Sequence, residues 1–178
     1  MRSIAHFSQF CAAALCLSYA LAAAESPTQF KVSEFTFTRP AQWQWVETHS
    51  TMRKAQLRVP GDNGGGEVVF YYFGEGQGGN TQANVDRWLG QFQEGRNKIN
   101  AKVESKVIGK TKVTYVQGEG TYLSGMPGGP TTPMKNYALL GAVMESADGN
   151  VFVRFTGPSA LVKKASADFR KMIESGLK

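Results

Sequence analysis

Beyond its first 24 residues the chain's first clear pattern is period-two alternation. Phe35 and Phe37 alternate with Thr36 and Thr38, Arg39-Pro40 interrupts, and Trp43-Gln44-Trp45-Val46 resumes the pattern. Alternation of this kind predicts strands with one buried face. Met52 to Val59 continues it and is stopped by Pro60-Gly61. Glu67 to Phe73 (EVVFYYF) and Tyr137 to Met144 differ, being apolar at both parities. Strands of that composition belong in the middle of a covered sheet. Lys102 to Ile108 and Lys112 to Leu123 predict two further strands turned at Gly109-Lys110. Asp148-Gly149, set between apolar runs, predicts a hairpin joining Tyr137–Ser146 to Val151–Thr156.

Two segments carry helical spacing instead. Over Thr81 to Phe92, the residues Val85, Trp88, Leu89 and Phe92 recur at intervals of three and four, with Asn80 or Thr81 as cap. Over Ser159 to Glu174 the stripe is Val162, Ala165, Phe169, Met172 and Ile173, with Pro158-Ser159 as the start and Gly176 as the stop. Because the doubly apolar strands need cover on both sides, the pattern predicts an α+β fold. Its centre is a mostly antiparallel sheet with a helix on each face.

The first 24 residues read differently. They hold one charge, Arg2, and both cysteines, and Cys11 to Ala24 runs CAAALCLSYALAAA. A membrane span needs about 20 apolar residues and a signal-peptide core about 7–15. The run fits the second, so residues 1–24 are expected to be a cleaved signal peptide. Ala20-Leu21-Ala22 and Ala22-Ala23-Ala24 both supply the small-residue cleavage pattern. A cut after Ala24 is preferred, with Ala22 as second choice; an uncleaved anchor and a lipoprotein modified at Cys16 are the alternatives. Residues 25–178 then form a single globular domain, exported to a periplasm or secreted, with no membrane span.

That mature chain has 19 basic and 14 acidic residues, a net charge of +5, no cysteine and one histidine, His49. A disulfide framework, a cysteine nucleophile, a zinc site of cysteines or paired histidines and an iron–sulfur cluster are excluded for one mature chain. No cofactor and no metal are expected.

The leading Phe-Thr-Phe-x-x-Pro-x-x-Trp stretch (35–43), the antiparallel strands, the middle helix and the closing amphipathic helix together resemble the PsbP/Mog-type α/β/α sandwich. Extrinsic photosystem subunits, Ran-binding nuclear transport factors and bacterial exported lipoproteins share that fold. MRKAQLRVP (52–60) and NVDRWLGQF (84–92) resemble segments of exported bacterial proteins with no assigned activity. The resemblance implies a domain that acts by binding, and it carries over no site residue. Fold alone does not give function.

Candidate chemistry is sparse. Eight of the 20 glycines lie between Gly61 and Gly79, and Gly74 to Asn80 stands where a phosphate loop would. No Lys-Ser/Thr follows it, and Glu75 would repel an anion. His49 is the one candidate general base, but neither G-x-S-x-G nor S-x-x-K marks a nucleophile for it. The carboxylates are scattered. Arg96, Lys98, Lys102, Lys106, Lys110 and Lys112 form the one basic run, with Lys102, Glu104 and Lys106 on one strand face and Val103 and Val107 on the other. It reads as a solvated outer strand, or as attraction to an acidic envelope surface. No aromatic-and-basic motif suggests nucleic acid. Leu123 to Asn136 (LSGMPGGPTTPMKN) reads as a loop whose methionines could meet a partner.

The reading is therefore an exported, non-catalytic binding domain, with a protein or envelope component as partner. Met126, Pro127, Pro130, Met134, Lys102 and Lys106 are the candidate contact residues. A hydrolase or transferase using His49 with a distant carboxylate and a small-ligand carrier are the alternatives. Protein purified from its native host is expected to begin at Glu25, or at Ala23 for the earlier cut. Intact-mass measurement checks this, and a mass retaining Met1–Ala24 refutes it.

Overall fold

The computed structural model describes residues 26–125 and 129–177. Among them the strands are β1 (Gln29–Val32), β2 (Phe35–Thr38), β3 (Gln44–Val46), β4 (Arg53–Val59) and β5 (Gly66–Tyr72). Helix α1 (Thr81–Leu89) follows, then β6 (Lys102–Ile108), β7 (Thr111–Gly125), β8 (Thr131–Met144), β9 (Val151–Pro158) and α2 (Ser159–Ser175). Seven strands form one antiparallel sheet in the order β3-β4-β5-β9-β8-β7-β6, and β1 pairs with β2 in a separate ribbon. The two segments that are apolar at both parities, β5 and the second half of β8, flank β9 at the centre.

Alternate residues of these central strands enter different apolar clusters. Ala138, Ala142 and Met144 of β8 and Val153 and Phe155 of β9 pack with Phe169, Met172 and Ile173 of α2. Leu139 and Val143 of β8 and Phe152 of β9 pack with Val85, Trp88 and Leu89 of α1. The period-two strand geometry produces this division. The β1–β2 ribbon adds Phe30, Val32, Phe35 and Phe37 to the α2 cluster, so β1, which alternation did not reveal, is part of the core.

Helix α1 begins as its sequence requires: the Asn80 carboxamide oxygen accepts from the Ala83 N–H at 2.8 Å. It ends at Leu89, three residues short of the apolar stripe, because the chain turns at Gly90. Phe92 stays buried and forms an isolated bridge with Tyr122. The seat of α1 depends on two glycines. A Cβ on Gly141 would lie 2.4 Å from the Trp88 ring, and one on Gly118 would lie 2.8 Å from the Phe92 ring. The helix can approach the sheet this closely only where these strands carry no side chain. At the other helix, β9 runs directly into α2 through Pro158, and the buried Ser159 hydroxyl has no hydrogen-bond partner among the described residues.

Asp148-Gly149 makes the expected hairpin between β8 and β9, with Gly149 at φ +113°. The stretch 123–136 departs from expectation. It is not a free loop: β7 runs to Gly125 and β8 restarts at Thr131, with Leu123 opposite Pro133 and Tyr122 opposite Met134. Proline reads as a strand breaker because it removes a ladder donor, yet it is tolerated where a strand has a free side. β9 pairs with β8 only as far as Tyr137, so Pro133 lies on such a stretch.

Two stability measurements test this packing. Phe169→Ala, at a fully buried position, should cost about 3–5 kcal/mol in chemical denaturation; a loss near that of a surface change would mean that α2 does not pack as described. Gly141→Ala should cost about 1–3 kcal/mol by forcing Trp88 out of its seat, and a neutral result would contradict the close approach of α1.

Candidate functional site

Beyond the Lys102–Gln117 and Tyr137–Pro158 pairs, β7 and β8 run on past β6 and β9 as an arm in which they pair with each other. The segment after α1 anchors its root. The Leu123 N–H donates to the Gln91 carbonyl at 2.7 Å and the Gln93 N–H donates to the Thr121 carbonyl at 2.9 Å. The Thr121 N–H donates to Glu94 Oε2 at 2.9 Å, which holds the Glu94 carboxyl below the usual carboxylate range. A bulge bends the arm where Asn136 takes a positive φ of 57°, between the Gly120–Tyr137 and Tyr122–Met134 pairs.

The arm and the β4–β5 hairpin enclose an open groove of about 470 Å³. Tyr122, Ser124, Met134 and Tyr137 line it from the arm, Arg58 and Glu67 from the hairpin, and Thr156 from β9. Next to it stands Arg154 on the central strand. Arg154 Nη1 donates to Gln91 Oε1 at 3.1 Å, and Nη2 donates to the Tyr71 hydroxyl at 3.3 Å. The Tyr122 hydroxyl donates to the same Gln91 oxygen at 3.2 Å, and burial raises its pKa. Tyr71 lies under the guanidinium at 5.9 Å and stacks on the half-exposed Phe73.

The charges here are unequally matched. Glu67 accepts from Arg53 at 3.0 Å and from Gln56 at 2.8 Å. Neither Arg154 nor Arg58 forms a salt bridge among the described residues. A planar guanidinium held by two neutral acceptors keeps donors for a further oxygen ligand, and carboxylates match that geometry best. Hydroxyls from Tyr122, Tyr137, Ser124 and Thr156 and the apolar Met134 complete the surface.

Two other features bear on chemistry. An apolar cleft of about 440 Å³ lies between the β4–β5 turn and the first half of α2, lined by Trp43, Val59, Pro60, Leu161 and Ala165. In the α2 cluster, the Tyr115 hydroxyl is buried without a partner among the described residues, and its pKa is pushed up to about 12, chiefly by burial. Arg170 and Lys106 lie 4.3 and 5.3 Å from the centre of its ring.

Of the residues singled out from sequence, Met134 lines the groove and Pro130 is exposed just before β8. Met126 and Pro127 lie outside the described residues. Lys102 and Lys106 stand apart from them on β6, at the edge of the sheet, where Lys106 pairs with Glu174 at 2.8 Å. His49 is exposed in the β3–β4 connection. Sequence reading missed Arg154, although the only charge inside the apolar VFVRF run was a usable signal. Among the described residues, no three His, Cys, Asp or Glu side chains come together as a metal site. Nor is any helix there long and apolar enough to cross a membrane.

No protein-family model matches the chain, and no curated protein matches it. Solved structures do. Cyanobacterial PsbP (CyanoP) from Synechocystis sp. PCC 6803 superposes with a TM-score of 0.54 at 8% identity, over 86% of this chain and 94% of that one. A protein of unknown function, PA94 from Pseudomonas aeruginosa, aligns with a TM-score of 0.46 at 12% identity, over 83% of this chain and 94% of that one. The first likeness gives the chain a PsbP-like fold and goes no further.

Proposed function

We propose that this PsbP-like chain is an exported, non-catalytic binding domain, and that the groove between the β7–β8 arm and the β4–β5 hairpin takes an acidic segment of a protein or envelope component. The observation that carries this reading is the pair of arginines, Arg58 and Arg154, left without carboxylate partners among the described residues, beside a groove lined by hydroxyls. Burying a cation without a counter-charge is unfavourable, so a half-buried guanidinium held by neutral acceptors is suited to an incoming anion. Export rests on the leader sequence alone. The division of the core into two clusters supports the three-layer arrangement, with α1 and α2 on opposite faces of the sheet.

A second reading, a small-ligand carrier, is favoured by the apolar cleft at the start of α2. Apolar walls with a few polar groups, here Gln42 bonded to Asp168 at 2.7 Å, are what small-molecule sites present.

A glutamate-rich hexapeptide titrated into the protein, followed by amide chemical shifts, tests the groove. Shifts are expected at Tyr122, Ser124, Met134 and Thr156. Arg154→Gln should weaken binding by at least about tenfold, since hydrogen bonds to a charged group are worth about 1.5–3 kcal/mol. Met134→Ser should weaken it less. If shifts instead map to β6, and Lys102→Glu with Lys106→Glu abolishes binding while Arg154→Gln does not, the groove reading fails.

A further inference from the structure

Strand β6 ends the sheet with one side unpaired among the described residues, where β7 is its one partner. Two of its valines face water, Val103 at 43% and Val107 at 69% exposure, on one side of the same edge strand. Lys102, Glu104 and Lys106 take the opposite parity, towards α2, where Glu104 meets Arg170 at 3.4 Å and Lys106 meets Glu174 at 2.8 Å. An open edge of this length is a template for another strand unless its charges forbid it.

We propose that β6 pairs antiparallel with β6 of a second copy of this chain, about a two-fold axis through Ser105. The register follows from geometry and charge. Residues directly opposite each other in an antiparallel pair point to the same side of the sheet, so the axis of a self-paired strand must pass through a residue. Ser105 is the midpoint of Lys102–Ile108, and only an axis there pairs the whole strand. Glu104 then faces Lys106 of the second copy, and the reverse pair repeats across the axis. Val103 faces Val107, so all four exposed valines meet on one side of the joined sheet. Moving the axis to Glu104 sets Glu104 against itself and Lys102 against Lys106; moving it to Lys106 sets Lys106 against itself. Lysines on an edge strand ordinarily keep other strands away. Here Glu104 between them makes the edge complementary to its own copy in one register and repulsive in the two adjacent ones.

Seven residues a side is a small interface, so the dimer is weak and reversible. It is independent of the groove, which lies beyond the opposite side of α1. Sedimentation equilibrium of the purified chain over a range of concentrations should show a reversible monomer–dimer equilibrium. Glu104→Lys and Lys106→Glu each put like charges across the axis twice, and each should raise the dimer Kd at least about tenfold. An equimolar mixture of these two variants restores opposite charges at both pairs and should recover a heterodimer. Val107→Asp, which touches no ion pair with α2, should dissociate the wild-type dimer by a separate route, and circular dichroism checks that each variant is folded. Wild type that stays monomeric throughout overturns the proposal. So does a mixture of folded charge variants that fails to associate, or a Val107→Asp variant that dimerises as wild type does.

Discussion

The short helix α1 seated on Gly118 and Gly141 is the constraint from which the rest of this surface follows. A nine-residue helix is roughly 13 Å long, whereas seven strands at a spacing of about 4.8 Å span roughly 29 Å. It therefore covers only part of the sheet. Trp88, Leu89 and Phe92 lie over the glycines of β7 and β8, where the strands offer no side chain to hold them off. Helix α2, with 17 residues and the β1–β2 ribbon beside it, closes the other cluster much more fully.

What α1 leaves uncovered lies to its two sides, and the sequence is different on each. Towards β4 and β5 the surface carries Arg58, Glu67, Tyr71, Arg154 and Thr156, groups that keep company with water or with a polar ligand. Towards β6 it carries Val103 and Val107, which none of the described residues covers. Apolar groups in the open are the more informative of the two, because burying them is favourable as soon as a complementary surface exists. The arm matters for the same reason. By leaving the sheet it supplies the second wall of the groove, and its anchorage to Gln91–Glu94 sets Tyr122 and Gln91 around Arg154.

Reading the arm from sequence failed for a definable cause. Three prolines and three glycines between Leu123 and Asn136 signal a loop by local chemistry. Their effect depends on whether the affected N–H groups have a strand to donate to, and that depends on where the neighbouring strands stop. Arg154 was overlooked for a related reason. A charge inside an apolar run is ordinarily read as a tolerated exception, and its partners, Tyr71 and Gln91, are 83 and 63 residues away along the chain.

Periodicity and turn chemistry specified most of the elements: both helices, the hairpin at Asp148-Gly149, the interior positions of β5 and β8, and Trp43 and Trp88 as buried groups. These are properties of the local repeat, since a side chain's direction within a strand or helix is set by its neighbours in sequence. The groove, the pairing of Glu67 with Arg53 while Arg58 and Arg154 go without a carboxylate among the described residues, and the separation of Met134 from Lys102 and Lys106 were decided only by the tertiary structure. They depend on strand order and on the length of α1 relative to the width of the sheet. No local pattern encodes these, because they arise from contacts between residues far apart in the chain.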